Sequence, residues 1–167
     1  KTFKGIAQRG KCSMGWFFGF KLHLICNEKG ELLNFMITPG DVDDRRPLEY
    51  KAFVEFIYGK LVGDRGYISK NLFERLFIDG IQLITKLKSN MKGALMSVSD
   101  KLLLRKRAII ETINDELKNI AQVEHSRHRC FDNFIVNMLG ALAAYCCFPK
   151  KPCINIERTI DTQLKLF

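Results

Sequence analysis

Asp64 is the first residue whose position in the chain favours chemistry. It follows a short segment at residues 60–63 with the composition of a β-strand, and it precedes a turn that contains Gly66. In open α/β sheets, ligands and catalytic groups collect at the carboxyl ends of strands. An aspartate at such a point either binds a metal ion or caps the turn by accepting hydrogen bonds from backbone N–H groups. Position alone leaves both interpretations open.

Glu111 is the second acidic candidate, on a helix predicted over residues 101–120. The apolar residues of this segment recur with a helical period and predict its buried face: Ile110, Ile113, Leu117 and Ile120. Arg107, Glu111 and Lys118 share a different face. A carboxylate between two cations can hold a divalent metal while the cations bind phosphate oxygens, which is what phosphoryl transfer requires. The alternative is a solvated face with an Arg107–Glu111 ion pair worth about 0.2–0.5 kcal/mol.

The chain is strongly basic. Lys and Arg number 27 against 18 Asp and Glu, which gives a net charge of +9. This charge favours polyanionic partners, with nucleic acid before an anionic membrane surface. Several cations are candidates for positioning contacts with DNA phosphates: Lys86, Lys88, Lys92, Arg105, Lys106, Arg127 and Arg129. Any one of them is equally well explained by simple solvation, but residues 105–107 are three consecutive cations.

Three residues near the end of the basic region suggest a zinc site: His125, His128 and Cys130. A structural zinc ion needs four ligands, and no second ligand pair is evident in the sequence. We therefore expect His128 to lie in a basic turn before the last helix.

Two further groups of residues are expected to be structural. Trp16 and Phe17 could stack on DNA bases, but aromatic residues at the start of a strand more often lie in the core. Cys146 and Cys147 are expected to be small buried hydrophobes of the last helix.

The pattern of apolar and polar residues predicts the elements that position these side chains. Residues 15–26 and 31–38 are predicted to form a β-hairpin. Further strands are predicted at 60–63 and 81–87, and helices at about 43–59, 69–80, 101–120 and 131–148. A hairpin followed by β-α-β units implies a mixed sheet with helices on its faces.

Length and composition indicate one packed domain. The chain has 167 residues, of which 47% are hydrophobic, and this excludes a disordered tail. The longest apolar stretch, residues 134–148, is interrupted and falls short of the ~20 residues that a bilayer span needs. The six cysteines have no regular spacing, which indicates a reducing cytosol.

Four ordered motifs resemble those of the DDE transposases of bacterial insertion sequences. They are Gly19-Phe20-Lys21-Leu22-His23, Thr38-Pro39-Gly40 with Asp43-Asp44, Gly63-Asp64-Arg65-Gly66-Tyr67, and Arg107 with Glu111 and Lys118. In the last motif the family's spacing of Arg, three residues, Glu, six residues and Lys is intact. The resemblance covers residues 15–148 and implies an α/β, RNase H-like fold.

The resemblance also implies an activity and its participants. Asp64 and Glu111 would be catalytic carboxylates that bind Mg²⁺ or Mn²⁺ for phosphodiester hydrolysis and strand transfer at the ends of the element. Arg107 and Lys118 would clamp the DNA backbone near the reacting phosphate. The implied partners are transposon-end and target DNA and further copies of the chain, with no membrane, in the bacterial cytoplasm at the nucleoid.

Two departures from the family pattern limit this expectation. Leu104 stands where the family has a Tyr. The family's first catalytic Asp lies on a strand before the hairpin, and the chain starts too late to include it, so residues 1–148 are expected to be a catalytic domain without its first strand. Residues 149–167 are expected to be an irregular tail. Such a chain would bind metal weakly and cleave little; the alternatives are an RNase H-like nuclease without strand transfer and an inactive DNA-binding remnant.

Overall fold

The computed structural model describes residues 2–12, 15–86, 96–124 and 127–154, and it confirms the α/β class. The strands are β1 Gln8–Cys12, β2 Gly15–Cys26, β3 Leu32–Pro39, β4 Gly59–Gly63 and β5 Ile81–Thr85. The helices are α1 Lys51–Val54, α2 Lys70–Ile78, α3 Val98–Lys106, α4 Ile109–Asn119 and α5 Phe131–Cys146, with 3₁₀ turns at Arg46–Glu49 and Arg65–Tyr67. None of the helices in the described ranges is long and apolar enough to cross a bilayer.

An antiparallel sheet with the order β1-β2-β3 contains the predicted hairpin. The side chain of Asn27 accepts hydrogen bonds from the backbone N–H groups of Lys29 and Glu31, both at 3.0 Å, and so fixes the turn between β2 and β3. Gly30 completes this turn with a φ of +73°, a conformation that favours glycine. Strand β1 was not predicted, because its five residues include one glycine and no apolar alternation.

Strands β4 and β5 form a separate parallel pair that is connected through α2. Their register pairs Gly63 with Thr85 at the carboxyl end. The sequence predicted one mixed sheet, whereas the described residues form two hydrogen-bonded sheets. These sheets are joined by side-chain packing, since Ile25 of β2 lies in one buried cluster with Leu83 of β5.

Helices cover both faces of β2, because successive residues of a strand point to opposite sides. Ile25 contributes to the first core cluster, whose buried members are Ile25, Leu48, Phe53, Val54, Leu72, Leu76, Ile81 and Leu83. Leu22 and Leu24 pack against the second cluster, which consists of Ile113, Leu117, Leu142 and Tyr145. The Tyr145 hydroxyl donates a 2.7 Å hydrogen bond to the Gly30 carbonyl and fastens α5 to the hairpin turn.

The helix predicted at 43–59 is wrong in its extent. Only the 3₁₀ turn Arg46–Glu49 and the short α1 form, separated by Tyr50 in an extended conformation. The Asp43 carboxylate holds the segment before them in a local turn, because it accepts hydrogen bonds from both the backbone and the guanidinium of Arg45.

The helix predicted at 101–120 is interrupted at Arg107 and Ala108, between α3 and α4. The two halves have different packing partners: α3 lies against β5, and α4 against α5. Arg107 and Ala108 keep right-handed helical dihedral angles but form a turn between the two helices. Ile120, which was predicted to be buried, lies just beyond α4 and is exposed.

Two predictions of burial are also wrong. Cys146 and Cys147 are exposed, because the buried face of α5 is formed by Met138, Ala141, Leu142 and Tyr145 and the next positions turn away from it. Trp16 is exposed because Phe17, its neighbour in the strand, takes the inner side of the sheet beside Gly10 and Gly40.

The predicted tail is described only in its first residues. Residues 149–154 form neither helix nor strand, and the Ile154 backbone N–H donates a 2.7 Å hydrogen bond to the Glu28 carbonyl. Residues 155–167 lie outside the described ranges, so the irregular tail stays a prediction.

Candidate metal and DNA site

Asp64 lies directly after β4 and begins the 3₁₀ turn Arg65–Tyr67. Its carboxylate accepts a 2.7 Å hydrogen bond from the Arg65 backbone N–H, so the turn-capping role considered from the sequence is present. The ring of Tyr67 packs over Gly63, and this holds the turn against the strand end. The Asp64 side chain nevertheless remains 66% exposed, with oxygen surface left for other partners.

Glu111 lies in the first turn of α4 with its side chain 70% exposed. The start of α4 lies near the end of β4, since Arg107, just before α4, contacts Asp64. The positive end of a helix dipole favours a carboxylate at this position.

Arg107 brings these two carboxylates together. One guanidinium nitrogen, Nη1, lies 2.5 Å from Oδ1 of Asp64, and the other, Nη2, lies 4.0 Å from Oε1 of Glu111. Asp64 and Glu111 thus both lie within ion-pair distance of one guanidinium, and their role as metal ligands stays a prediction. The positive charge between the two carboxylates is that of the Arg107 guanidinium.

The same contacts determine the charge state of Asp64. The hydrogen bond from the Arg65 backbone, supported by the charge of Arg107, lowers the pKa of Asp64 below its ordinary value, although partial burial opposes the shift. Asp64 is thus ionised at neutral pH and can act as a ligand for a cation.

Lys118 does not join this group. It lies in the last turn of α4, and its Nζ is 3.0 Å from a carboxylate oxygen of Glu124. It lies seven positions after Glu111, about 10 Å along the helix axis at 1.5 Å per residue. Its role as a DNA clamp stays a prediction.

The other predicted phosphate contacts differ in their location relative to the cleft. Lys86 is exposed and follows β5, whose last residue pairs with Gly63, so it lies at the same sheet edge as Asp64. Lys106 lines the cleft that contains Asp64, whereas Arg105, Arg127 and Arg129 are exposed. Lys88 and Lys92 lie outside the described residues.

A cleft of ≈ 680 Å³ contains Asp64, Arg107 and Glu111. Its wall includes Tyr67 and Lys60, neither of which was singled out as a candidate site residue. Lys60 forms a 2.6 Å ion pair with Asp100 and ties the start of α3 to β4. Tyr67 belongs to a motif recognised in the sequence, but only the fold shows that it is half-buried beside Asp64, where burial raises the pKa of its hydroxyl.

The donor set of this cleft suits one hard cation. Two carboxylates provide the oxygen ligands that Mg²⁺ and Mn²⁺ prefer. Within the described ranges, no group of three or more His, Cys, Asp and Glu side chains is arranged to hold a metal ion. His125 of the zinc hypothesis is outside these ranges, and His128 and Cys130 are exposed.

A comparison with family models agrees with the α/β fold. The family described as "Transposase DDE domain" matches residues 1–131. The chain therefore belongs to the DDE transposase family. Neither a curated protein nor a solved structure gives a significant match.

Proposed function

We propose that the chain acts in DNA transposition, through metal-dependent phosphodiester hydrolysis and strand transfer at the ends of an insertion sequence. The observation that carries this proposal is the convergence of Asp64 and Glu111 on one guanidinium. Family membership supports the transposition-related function. The particular chemistry is inferred from the two carboxylates.

Asp64 and Glu111 are the proposed ligands for Mg²⁺ or Mn²⁺. Such an ion polarises a phosphodiester and lowers the pKa of an attacking water or hydroxyl. The carboxylates are suited to hold it because both are largely exposed and Asp64 has a lowered pKa. Tyr67 and the Arg65 backbone hold Asp64 at the strand end, and α4 holds Glu111 opposite it.

Arg107 has two proposed roles. In this structure its guanidinium neutralises the carboxylates, and the same planar group is suited to contact a DNA phosphate through two hydrogen bonds. A bound divalent cation and Arg107 compete for the same oxygens. We therefore propose that the chain binds metal weakly and cleaves DNA poorly.

DNA is the proposed partner, in the form of transposon ends and target. Arg107, Lys106 and Lys86 lie around the cleft or at its edge, and the net charge of +9 favours a polyanion. Contacts with phosphates position the duplex without reading its sequence. Lys118, Arg105, Lys88 and Lys92 complete the proposed set of DNA contacts.

The test of the metal site is a titration with Mn²⁺, followed by calorimetry or by paramagnetic broadening of NMR signals. The wild type is expected to bind one ion weakly, and Asp64→Asn and Glu111→Gln are each expected to abolish this binding. Asp79→Asn is the matched control, because Asp79 is exposed and precedes β5 at the opposite end of the parallel pair. Equal Mn²⁺ binding by all four proteins would contradict the assignment.

DNA binding without catalysis is the second candidate function. The specific observation in its favour is that Arg107 already neutralises both carboxylates. A cleavage and strand-transfer assay in Mg²⁺ separates the candidates. Cleavage together with joining would contradict the proposed impairment, cleavage without joining would indicate a nuclease, and DNA binding without either would support the second candidate.

The setting of this function is also a proposal. The substrate would be reached in the bacterial cytoplasm at the nucleoid. Paired transposon ends would be held by more than one copy of the chain, which light scattering with and without DNA would test.

A further inference from the structure

The β1–β2 hairpin presents two aromatic side chains on its outer face. Trp16 is 74% exposed and Phe18 is 45% exposed, although both belong to a paired strand. They are two residues apart and therefore point to the same side of the sheet. On β1, the register places Lys11 opposite Trp16 and Arg9 opposite Phe18. Two large aromatic rings are thus flanked by two cations.

Close packing on the inner face keeps this arrangement in place. Gly10 of β1 is buried against Gly40 and the ring of Phe17, and an added Cβ at Gly10 would collide with the Gly40 carbonyl. The hairpin is therefore held against the end of β3 by backbone contact. Trp16 has no room on that side and stays in solvent, where Lys11 Nζ lies 5.8 Å from the centre of its ring.

The outer face adjoins the cleft that contains Asp64 and Glu111. A second cleft of ≈ 460 Å³ is lined in part by Arg9, Lys11 and Trp16, and it shares Asp44 and Gly66 with the first. A DNA strand that passes through the first cleft can therefore continue over the β1–β2 hairpin.

The acidic residues of the second cleft do not cancel its positive charge. Of its three aspartates, Asp43 is paired with Arg45 and Asp44 with Lys21, at 2.6 and 2.9 Å. Arg9 and Lys11 then remain against Asp41. The surplus of positive charge beside the aromatic rings favours a polyanion with flat apolar groups over a second copy of this basic chain.

We propose that Trp16 and Phe18, with Lys11 and Arg9, form a stacking platform for unpaired bases of a DNA strand that leaves the cleft. The platform rests on the proposed function, since it requires DNA in the cleft, and it adds a preference for single-stranded segments or opened ends. Bases stack on aromatic side chains with little regard to sequence, and neighbouring cations hold the phosphates between them. Each nucleotide therefore has a ring to stack on and a charge to pair with.

Trp16 is the only tryptophan of the chain, so its fluorescence reports on the platform directly. Titration with an oligothymidylate is expected to quench this fluorescence. In anisotropy measurements with labelled DNA, Trp16→Ala is expected to weaken binding of the single strand by about tenfold, whereas duplex binding changes much less. Trp16→Phe keeps a ring and is expected to recover most of the affinity.

The matched control is Phe77→Ala. Phe77 is 73% exposed, almost as much as Trp16, but it lies on α2. This variant is expected to bind both forms of DNA as the wild type does. Because both side chains are exposed, circular dichroism of the variants is expected to match the wild type.

The outcomes separate the platform from the proposed function. If wild type and Trp16→Ala bind both forms of DNA equally well, the platform is overturned while DNA binding by the chain stands. If the wild type binds no DNA, the proposed function fails and the platform with it. If the Trp16 signal responds to protein concentration and not to the oligonucleotide, the face is a contact between copies and the proposal is overturned.

Discussion

The guanidinium of Arg107 lies 2.5 Å from the carboxylate of Asp64, and this contact connects the turn between α3 and α4 to the end of β4. The two residues are far apart in sequence, and both were candidates for separate roles, one as a DNA clamp and the other as a metal ligand. Because the two side chains form an ion pair, we expect DNA contact by Arg107 and metal binding by Asp64 to affect each other. We expect a cation that binds Asp64 and Glu111 to compete with Arg107 for the oxygens that the guanidinium contacts.

Replacement of Arg107 tests this competition. We expect Arg107→Ala to bind Mn²⁺ about fivefold more tightly than the wild type, because an exposed ion pair is worth up to about 1 kcal/mol. The same change is expected to weaken DNA binding. Calorimetric titration of Mn²⁺ measures the first effect, and DNA anisotropy measures the second.

Arg105→Ala is the control for that experiment, since Arg105 is an exposed arginine of α3. It removes the same net charge without removing the contact with Asp64. Equal Mn²⁺ affinity in the two variants would show that overall charge, and not the Arg107 ion pair, governs metal binding.

Asp64 has a structural role that can be separated from its proposed chemical one. Asn can still accept the hydrogen bond from the Arg65 backbone, whereas Ala cannot. Both variants lose the ion pair with Arg107, so we expect Asp64→Ala to be less stable than Asp64→Asn by about 0.5–1 kcal/mol, the contribution of the cap. Both variants are expected to lose Mn²⁺ binding. Urea denaturation measures the stability, and equal stability of the two variants would show that the turn needs no cap.

The packing of α4 against α5 can be tested at two apolar positions, both of which the helical period predicts to be buried. Leu117 is buried in the second core cluster, and Ile120 is exposed. Leu117→Ala is expected to cost about 2–5 kcal/mol of unfolding free energy through the lost contacts and the cavity. Ile120→Ala is expected to change it by less than about 0.5 kcal/mol. Comparable losses in chemical denaturation would mean that Ile120 is covered in solution.

The buried side chain of His23 is expected to make the free energy of unfolding depend on pH. Its ring is buried, with Nε2 2.8 Å from the Thr38 hydroxyl, and burial lowers its pKa; Lys21 adds to this effect and Asp44 opposes it. The unfolded chain therefore takes up the proton at a higher pH than the folded chain does. The stabilisation is complete above the ordinary histidine pKa of 6.5 and is lost as the pH falls towards the lower folded value.

We accordingly expect the wild type to lose stability as the pH falls from about 6.5 towards 5, the acidic side of the range in which histidine titrates. His23→Gln is expected to be less stable at neutral pH and to show a smaller loss on acidification. His128→Gln, which changes an exposed histidine, is the control and should keep the wild-type slope. Parallel pH profiles for His23→Gln and the wild type in urea titrations would contradict this interpretation.

Local pattern was sufficient for several elements. The hairpin and the strand–helix–strand unit at residues 59–85 are confirmed, because alternation, turn residues and a helical period are properties of neighbouring residues. The candidate acidic residues could be recognised for the same reason, since their motifs are short and the spacing around Glu111 lies within one segment.

The sequence by itself determined the α/β class, the strands at residues 15–26 and 60–63, and two of the acidic residues that line the cleft, Asp64 and Glu111. Only the tertiary structure decided that the helix at 101–120 turns at Arg107, that Arg107 contacts both carboxylates, and that Trp16 faces solvent. The physical reason is that periodicity identifies apolar faces but not the surfaces that cover them. Those surfaces come from distant segments such as β5, α5 and the glycine at position 40.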